Sequence, residues 1–339
     1  MRIAPTIRQA WLAMLPLCLL TPTLHGQATS APTGTAPSPM AQQRLRSHIF
    51  VYDIRTGSSK EIYTADSIWE APNWSPDGKY LIANSKAAIF RLNLKPDGTA
   101  EPQKLAIPEN YRCNNDKALS PDGTKLAFSA TVSPNRGSQV FLADADGNNV
   151  KLMTQDMPSY FHGWSPDNKT LAFVAQRNNS GQYDIYSVPA AGGGPEERLT
   201  SNVHQDDGPD YSPNGKWIYI NSDRSGKQAV WRLPAKGAGT DDAKAEDVVS
   251  DSLEDWFPHI SPDGKKMVYI GYPGGTPTHN PRDVHIALKL VTIDHDKVAK
   301  TQKTLVEGTG GQGSMNVNSW SPDSMRFAYV TYEALPQAQ

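Results

Sequence analysis

Carboxylate, amide, imidazole and indole side chains stand at matching distances ahead of a serine–proline pair that recurs along this chain. Five positions before that serine come Glu70, Asn115, Tyr160, Asp207, Trp256 and Asn316. Six before it come Trp69, Asn114, Ser159, Asp206, Asp255 and Met315, with Arg112, His162 and His204 close by. Convergent polar groups beside aromatic platforms are what a polar ligand, a sugar included, requires. The candidate ligand-binding residues are therefore Trp69, Glu70, Arg112, Asn115, His162, Asp206, Asp207, Asp255, Trp256 and Asn316. Two other chemistries use the same side chains. Asp206, Asp207 and Asp255 would serve as glycosidase carboxylates if two of them lay about 5–5.5 Å or 6.5–9.5 Å apart across a substrate. As a solvated acidic rim they would touch Ca²⁺ or another divalent ion. His162, His204, His259, His279 and His285 share neither an equivalent place before the serine nor a ligand spacing such as H-E-x-x-H. No catalytic residue and no resident cofactor or metal is assigned, and His259, next to a turn, reads as structural.

The elements that position these residues follow from the repeat itself. Ser-Pro-Asp-Gly or a close variant begins at Ser75, Ser120, Ser165, Ser212, Ser261 and Ser321, at intervals of 45, 45, 47, 49 and 60 residues. Proline presets the second turn position, aspartate suits the third and glycine the fourth, so each motif is a tight turn. An apolar residue precedes every turn and a short β-type run follows it, as in Leu126-Ala127-Phe128 or Ile218-Tyr219-Ile220. Two more strands complete most units, and no helical pattern intervenes. Four short antiparallel strands repeated at this period make a propeller blade. After the sixth turn only one strand remains, whereas two strands, Ile49–Asp53 and Glu61–Tyr63, precede the first turn. The fold class is all-β: a six-bladed β-propeller whose N-terminal strands complete the last blade and hide its edge.

The repeat resembles the PD40, or WD40-like, repeat of TolB-type propellers: an aromatic residue, Ser-Pro-Asp-Gly-Lys, then an apolar strand, with Ser222-Asp223-Arg224-Ser225-Gly226 matching a later part of the pattern. The resemblance covers about residues 46–334. It implies a periplasmic module that binds partner proteins, although TolB-type chains carry an α/β domain ahead of the propeller and only a short tether is expected here. Related repeats accompany hydrolase domains in prolyl-oligopeptidase-type enzymes, but no Gly-x-Ser-x-Gly elbow is present, which disfavours a serine peptidase. A polysaccharide lyase with a related propeller uses histidines on a divalent metal, which keeps a carbohydrate-active or metal-dependent enzyme as the alternative function. Arg224 is expected to bridge to an aspartate of a neighbouring blade.

The ends bound the rest. Arg2 and Arg8, the apolar run Trp11–Leu20 and Gly26-Gln27-Ala28 make residues 1–28 an export signal, too short to span a bilayer. Leu17 ahead of Cys18 argues against lipidation. Residues 29–45, rich in Ala, Thr, Pro and Ser, read as a disordered linker; 46–334 form the propeller and 335–339 a tail. Cys113 then stands alone and reads as a buried small hydrophobe. A net charge of −2 supplies no basic face for nucleic acid. The expectation is a periplasmic or secreted monomer with no transmembrane segment after signal removal, binding an envelope protein or polysaccharide at the channel mouth.

Overall fold

The computed structural model describes residues 44–178 and 180–336. The export signal and nearly all of the linker lie outside the described residues. Six antiparallel sheets follow one another along the chain. The innermost strands of blades one to five are Trp69–Trp74, Tyr111–Leu119, Ser159–Trp164, Asp206–Tyr211 and Glu254–Ile260. Each blade then runs outward; blade one continues through Tyr80–Ser85, Ala88–Leu94 and Ala100–Lys104. Blade five carries an added hairpin that pairs Ile293 with Val298. Among the described residues the one helical element is a 3₁₀ turn, Thr240–Asp242, and no helix is long and apolar enough to cross a membrane.

Blade six is assembled from both ends. Arg326–Ala334 pairs along its whole length with Leu45–Asp53, which pairs in turn with Ser58–Ala65. Its innermost segment is irregular: Trp320 bridges Phe327, and the Ala328 and Val330 amides donate to the Ser319 and Ser314 carbonyls at 3.0 and 3.1 Å. Gly311 and Gly313 stand at the start of this segment, where glycine weakens a strand by leaving it no side chains to pack.

The six turns share one hydrogen-bond pattern. Ser75 Oγ donates to Asp77 Oδ1 at 2.7 Å and accepts from the Tyr80 amide at 3.1 Å, while Asp77 accepts from the Lys79 amide. The fourth turn residue is left-handed in every copy, with φ between 60° and 72°, which glycine adopts without a Cβ clash. Asn168 and Ser324 occupy that place in blades three and six, and each accepts the amide of the preceding blade's turn aspartate, Asp122 and Asp263. Between every adjacent pair of blades lies one apolar cluster, six in all, including blade six against blade one through Ile49, Val330, Trp69 and Leu81. Cys113 is buried in the cluster between blades one and two, and burial pushes its thiol up to about 12.

Candidate functional site

All five regular innermost strands are bulged: the register slips between Glu70 and Asn73, Cys113 and Lys117, Phe161 and Gly163, Asp207 and Asp210, and Trp256 and His259. A bulge interrupts side-chain alternation and re-aims the residues around it. Four positions before the turn serine the backbone is left-handed in three blades, at Ala71, Gly208 and Phe257. Gly208 is required there twice over: its φ is 61°, and a Cβ would press on Phe257 and Asn221. Phe257 is 1% exposed at φ 51°, a strained setting for an aromatic residue, and such strain gathers at functional sites.

These strands open onto a cavity of about 620 Å³ at the channel mouth. Blades two to five supply its walls, among them Asn115, Asp116, Tyr160, His162, Tyr183, Asp207 and Trp256. Thr278, His279 and Asn280 enter from the long loop after the second strand of blade five, and Gln312 from the blade-six segment. Asp207 is the centre of its polar network. Its Oδ1 accepts the Gly208 amide at 2.7 Å and lies 3.3 Å from His162 Nε2; its Oδ2 lies 3.7 Å from His279 Nδ1. The second ring nitrogen of His162 lies 3.3 Å from the Asn316 carbonyl, and its ring stacks on Phe257 at 5.7 Å. His279 meets the Trp256 and Phe257 rings edge-on at 4.8 and 5.0 Å.

Burial and charge set the proton affinities. Burial raises Asp207, yet His162, His279 and the Gly208 amide together outweigh it and hold the carboxyl below its ordinary value. Burial lowers His162, but Asp116 and Asp207 together raise it. His279 is lowered, chiefly by burial. Burial raises Asp116 to about 6, against the pull of His162. At neutral pH the mouth therefore presents an Asp207 carboxylate paired with His162 and a neutral His279. The arrangement offers acceptors, two imidazoles and three aromatic faces. Among the described residues no group of three or more His, Cys, Asp or Glu side chains is placed to hold a metal ion.

Of the residues singled out in the sequence, Asn115, His162, Asp206, Asp207 and Trp256 line this cavity. Asp206 is fully buried and its charge is taken by Arg224 at 2.7 Å. The other five lie elsewhere. Trp69 packs in the cluster between blades six and one, against Tyr63 and Phe90. Glu70 is held by Arg282 at 2.7 Å and by the Asn84 amide at 3.0 Å. Arg112 is exposed on the edge of its strand. Asp255 is sealed from solvent with no hydrogen-bond partner on either carboxylate oxygen. Asn316 is buried and accepts the Gly313 amide at 2.8 Å. The expected inter-blade bridge of Arg224 is corrected: both partners, Asp206 and Asp242, belong to its own blade four, because the loop folds back over the start of that blade's innermost strand and its 3₁₀ turn. His259 is buried near Met315 O and Asp210. Asp116, Tyr183 and His279 were not singled out as site residues. Asp116 follows a counted position directly, where the bulge turns it inward, and His279 sits in the longest mouth loop, whose path no local pattern fixes.

The family model described as "TolB beta propeller domain" matches residues 158–296. An uncharacterized protein of Agrobacterium fabrum is 39% identical over 310 residues, 91% of this chain and 97% of that one. A solved structure described as a putative TolB from Agrobacterium tumefaciens has 40% sequence identity and a TM-score of 0.77, over 86% of this chain and 99% of that one. A Tol-Pal system protein TolB of Francisella tularensis is 24% identical over 153 residues, 43% of this chain but only 33% of the relative.

Proposed function

The chain belongs to the TolB-like, PD40-repeat β-propeller family, and from that premise we propose that it is a binding module that receives an envelope protein or glycan at its channel mouth. The observation that carries this reading is the mouth cavity itself: four blades and one long loop converge on about 620 Å³ of space, walled by carboxylates, amides and aromatic rings above a strained backbone. A scaffold shared by many proteins fixes no function, so the site must carry the argument. The composition of residues 1–28 supports a periplasmic or secreted location, where such partners are found.

Site-specific photocrosslinkers test the reading. Placed at Thr278 and Asn280, exposed on the mouth, they are expected to capture one and the same partner. Placed at Lys79 and Lys265, on the rim of Ser-Pro-Asp turns, they are expected to capture none. Capture only from the turn rim would place the interface on the other face and end this proposal. A second reading, an acid–base enzyme acting on carbohydrate, has the His162–Asp207 contact beside the raised Asp116 in its favour. A polysaccharide screen that yields no new reducing or unsaturated ends excludes it.

A further inference from the structure

We propose that the group received in the mouth cavity is an organic cation, an ammonium or guanidinium, held between the Asp116 and Asp207 carboxylates and the rings of Tyr160, Tyr183 and Trp256; this rests on reading the mouth as the binding site. Among the described residues the cavity is lined by four aspartates, Asp116, Asp206, Asp207 and Asp223, and by no lysine or arginine. Asp206 is already answered from behind by Arg224 at 2.7 Å, and Asp223, more than one-third exposed beside His204 at 3.2 Å, keeps its contact with solvent. Among the described residues Asp116 and Asp207 form no ion pair with a lysine or arginine: Asn114 donates to Asp116 at 2.8 Å, His162 and His279 lie 3.3 and 3.7 Å from Asp207, and the buried Lys117 ammonium donates to the Glu70 and Ala71 carbonyls instead. A carboxylate buried without a full counter-charge is costly, and a ligand that brings the missing positive charge relieves that cost.

The aromatic wall points the same way. Tyr160 and Tyr183 stand 6.1 Å apart with planes inclined at 59°, which makes a corner rather than a flat stacking platform. Both are half-buried and keep part of their surface open. Ring faces beside carboxylates attract ammonium and guanidinium groups through the ring quadrupole. Two buried donors of the lining have no partner among the described residues, Asn115 Nδ2 and the Trp256 indole N–H, each on a side chain over nine-tenths buried. Orphaned donors call for an acceptor, so the cation carries a carbonyl or hydroxyl near its charge. An acidic oligosaccharide has the opposite sign and finds no cation on these walls.

Calorimetric titration of the purified protein decides the matter with four probes. N-acetyl-arginine amide represents a basic side chain and ethanolamine a small free amine with a hydroxyl beside its charge; N-acetyl-citrulline amide is the neutral near-isostere and galacturonate the anion. At least one cationic probe is expected to bind about tenfold or more tighter than citrulline amide, with galacturonate not binding. Preference for N-acetyl-arginine amide over ethanolamine identifies a basic side chain as the source, and the reverse a small amine. Asp207→Asn and, separately, Tyr183→Leu, each checked for an unchanged melting profile, are expected to weaken the cation about tenfold. Equal binding of the neutral probe, or cation binding untouched in both variants, overturns the inference. Mouth crosslinks to a partner without any cation binding overturn it while leaving the binding-module reading intact. Cation binding with crosslinks only from the turn rim does the opposite.

Discussion

At the scale of single residues, two neighbouring blades show what one missing side chain does. Twelve positions after the turn serine, blades three and four place Arg177 and Arg224, which reach back to the residue six before it: Ser159 at 2.8 Å and Asp206 at 2.7 Å. Blade five keeps the acid, Asp255, but has Pro273 in place of the arginine. Burial, reinforced by Asp251 and opposed by Lys227 and Lys289, raises Asp255 from 3.8 to about 8. The folded protein therefore holds this proton up to about pH 8, whereas the unfolded chain releases it near pH 4, so stability falls as pH rises through that window and levels off above it. Asp255→Asn keeps the shape and abolishes the titration. Its unfolding free energy is expected to match the parent's near pH 4 and exceed it at pH 8, by a margin on the order of 1–4 kcal/mol. Calorimetry across that range checks it, and a gap that fails to widen with pH refutes a buried acid. Asn115, Asp207 and Trp256 were legible as mouth residues because distance from the turn sets how far along the strand a side chain sits. Trp69 and Asp255 were not: they stand at the same count as Asp206, which does line the cavity, and tertiary packing rather than distance from the turn buries Trp69 against Tyr63 and Phe90 and seals Asp255 from solvent.

At the scale of elements, the long loop of blade five acts as a strap. The Gly275 amide donates to Glu254 at 3.0 Å, His279 reaches Asp207 in blade four, and Arg282 pairs with Glu70 in blade one. The Gln312 amide donates to the Pro281 carbonyl at 2.6 Å, so the strap rests on the glycine-rich segment of blade six. Gly313 is needed there, since its φ is 86° and a Cβ would collide with the Glu70 side chain. The loop's length was plain in the sequence, but its crossing from blade five to blade one rests on a pair 212 residues apart, beyond the reach of any local pattern. Arg282→Ala leaves Glu70, 8% exposed, without its counter-charge. The expected loss is about 1–3 kcal/mol by denaturant titration, less than for a fully buried pair because Arg282 is one-third exposed. Adding Glu70→Gln is expected to restore part of it, and amides of residues 274–283 are expected to exchange faster in the single variant. Equal losses in the single and double variants would mean that the pair does not pin the strap.

At the scale of the whole molecule, closure of the ring is the decisive feature. Six turns and an unequal strand count at the two ends made both the blade number and the clasp visible in the sequence, because each rests on a repeated local motif. The irregular inner segment of blade six was not visible, since it lies ahead of the sixth turn where no repeated local motif marks it. The clasp is noncovalent: Leu45–Asp53 is held by pairing with Arg326–Ala334 and by the apolar clusters on either side. Ile49 is 0% exposed and joins the cluster that seals blade six against blade one. If the clasp is integral, its packing is shared by the whole ring, and Ile49→Ala costs what a core truncation costs, about 2–5 kcal/mol, in a single cooperative transition. If instead the N-terminal strands peel away independently, the variant melts in two steps and the main transition moves by less than about 1 kcal/mol. Denaturant unfolding followed by both tryptophan fluorescence and far-ultraviolet circular dichroism separates the two outcomes. Coincident curves shifted together are expected, because Trp69 lies in the same cluster as Ile49 and reports its loss directly.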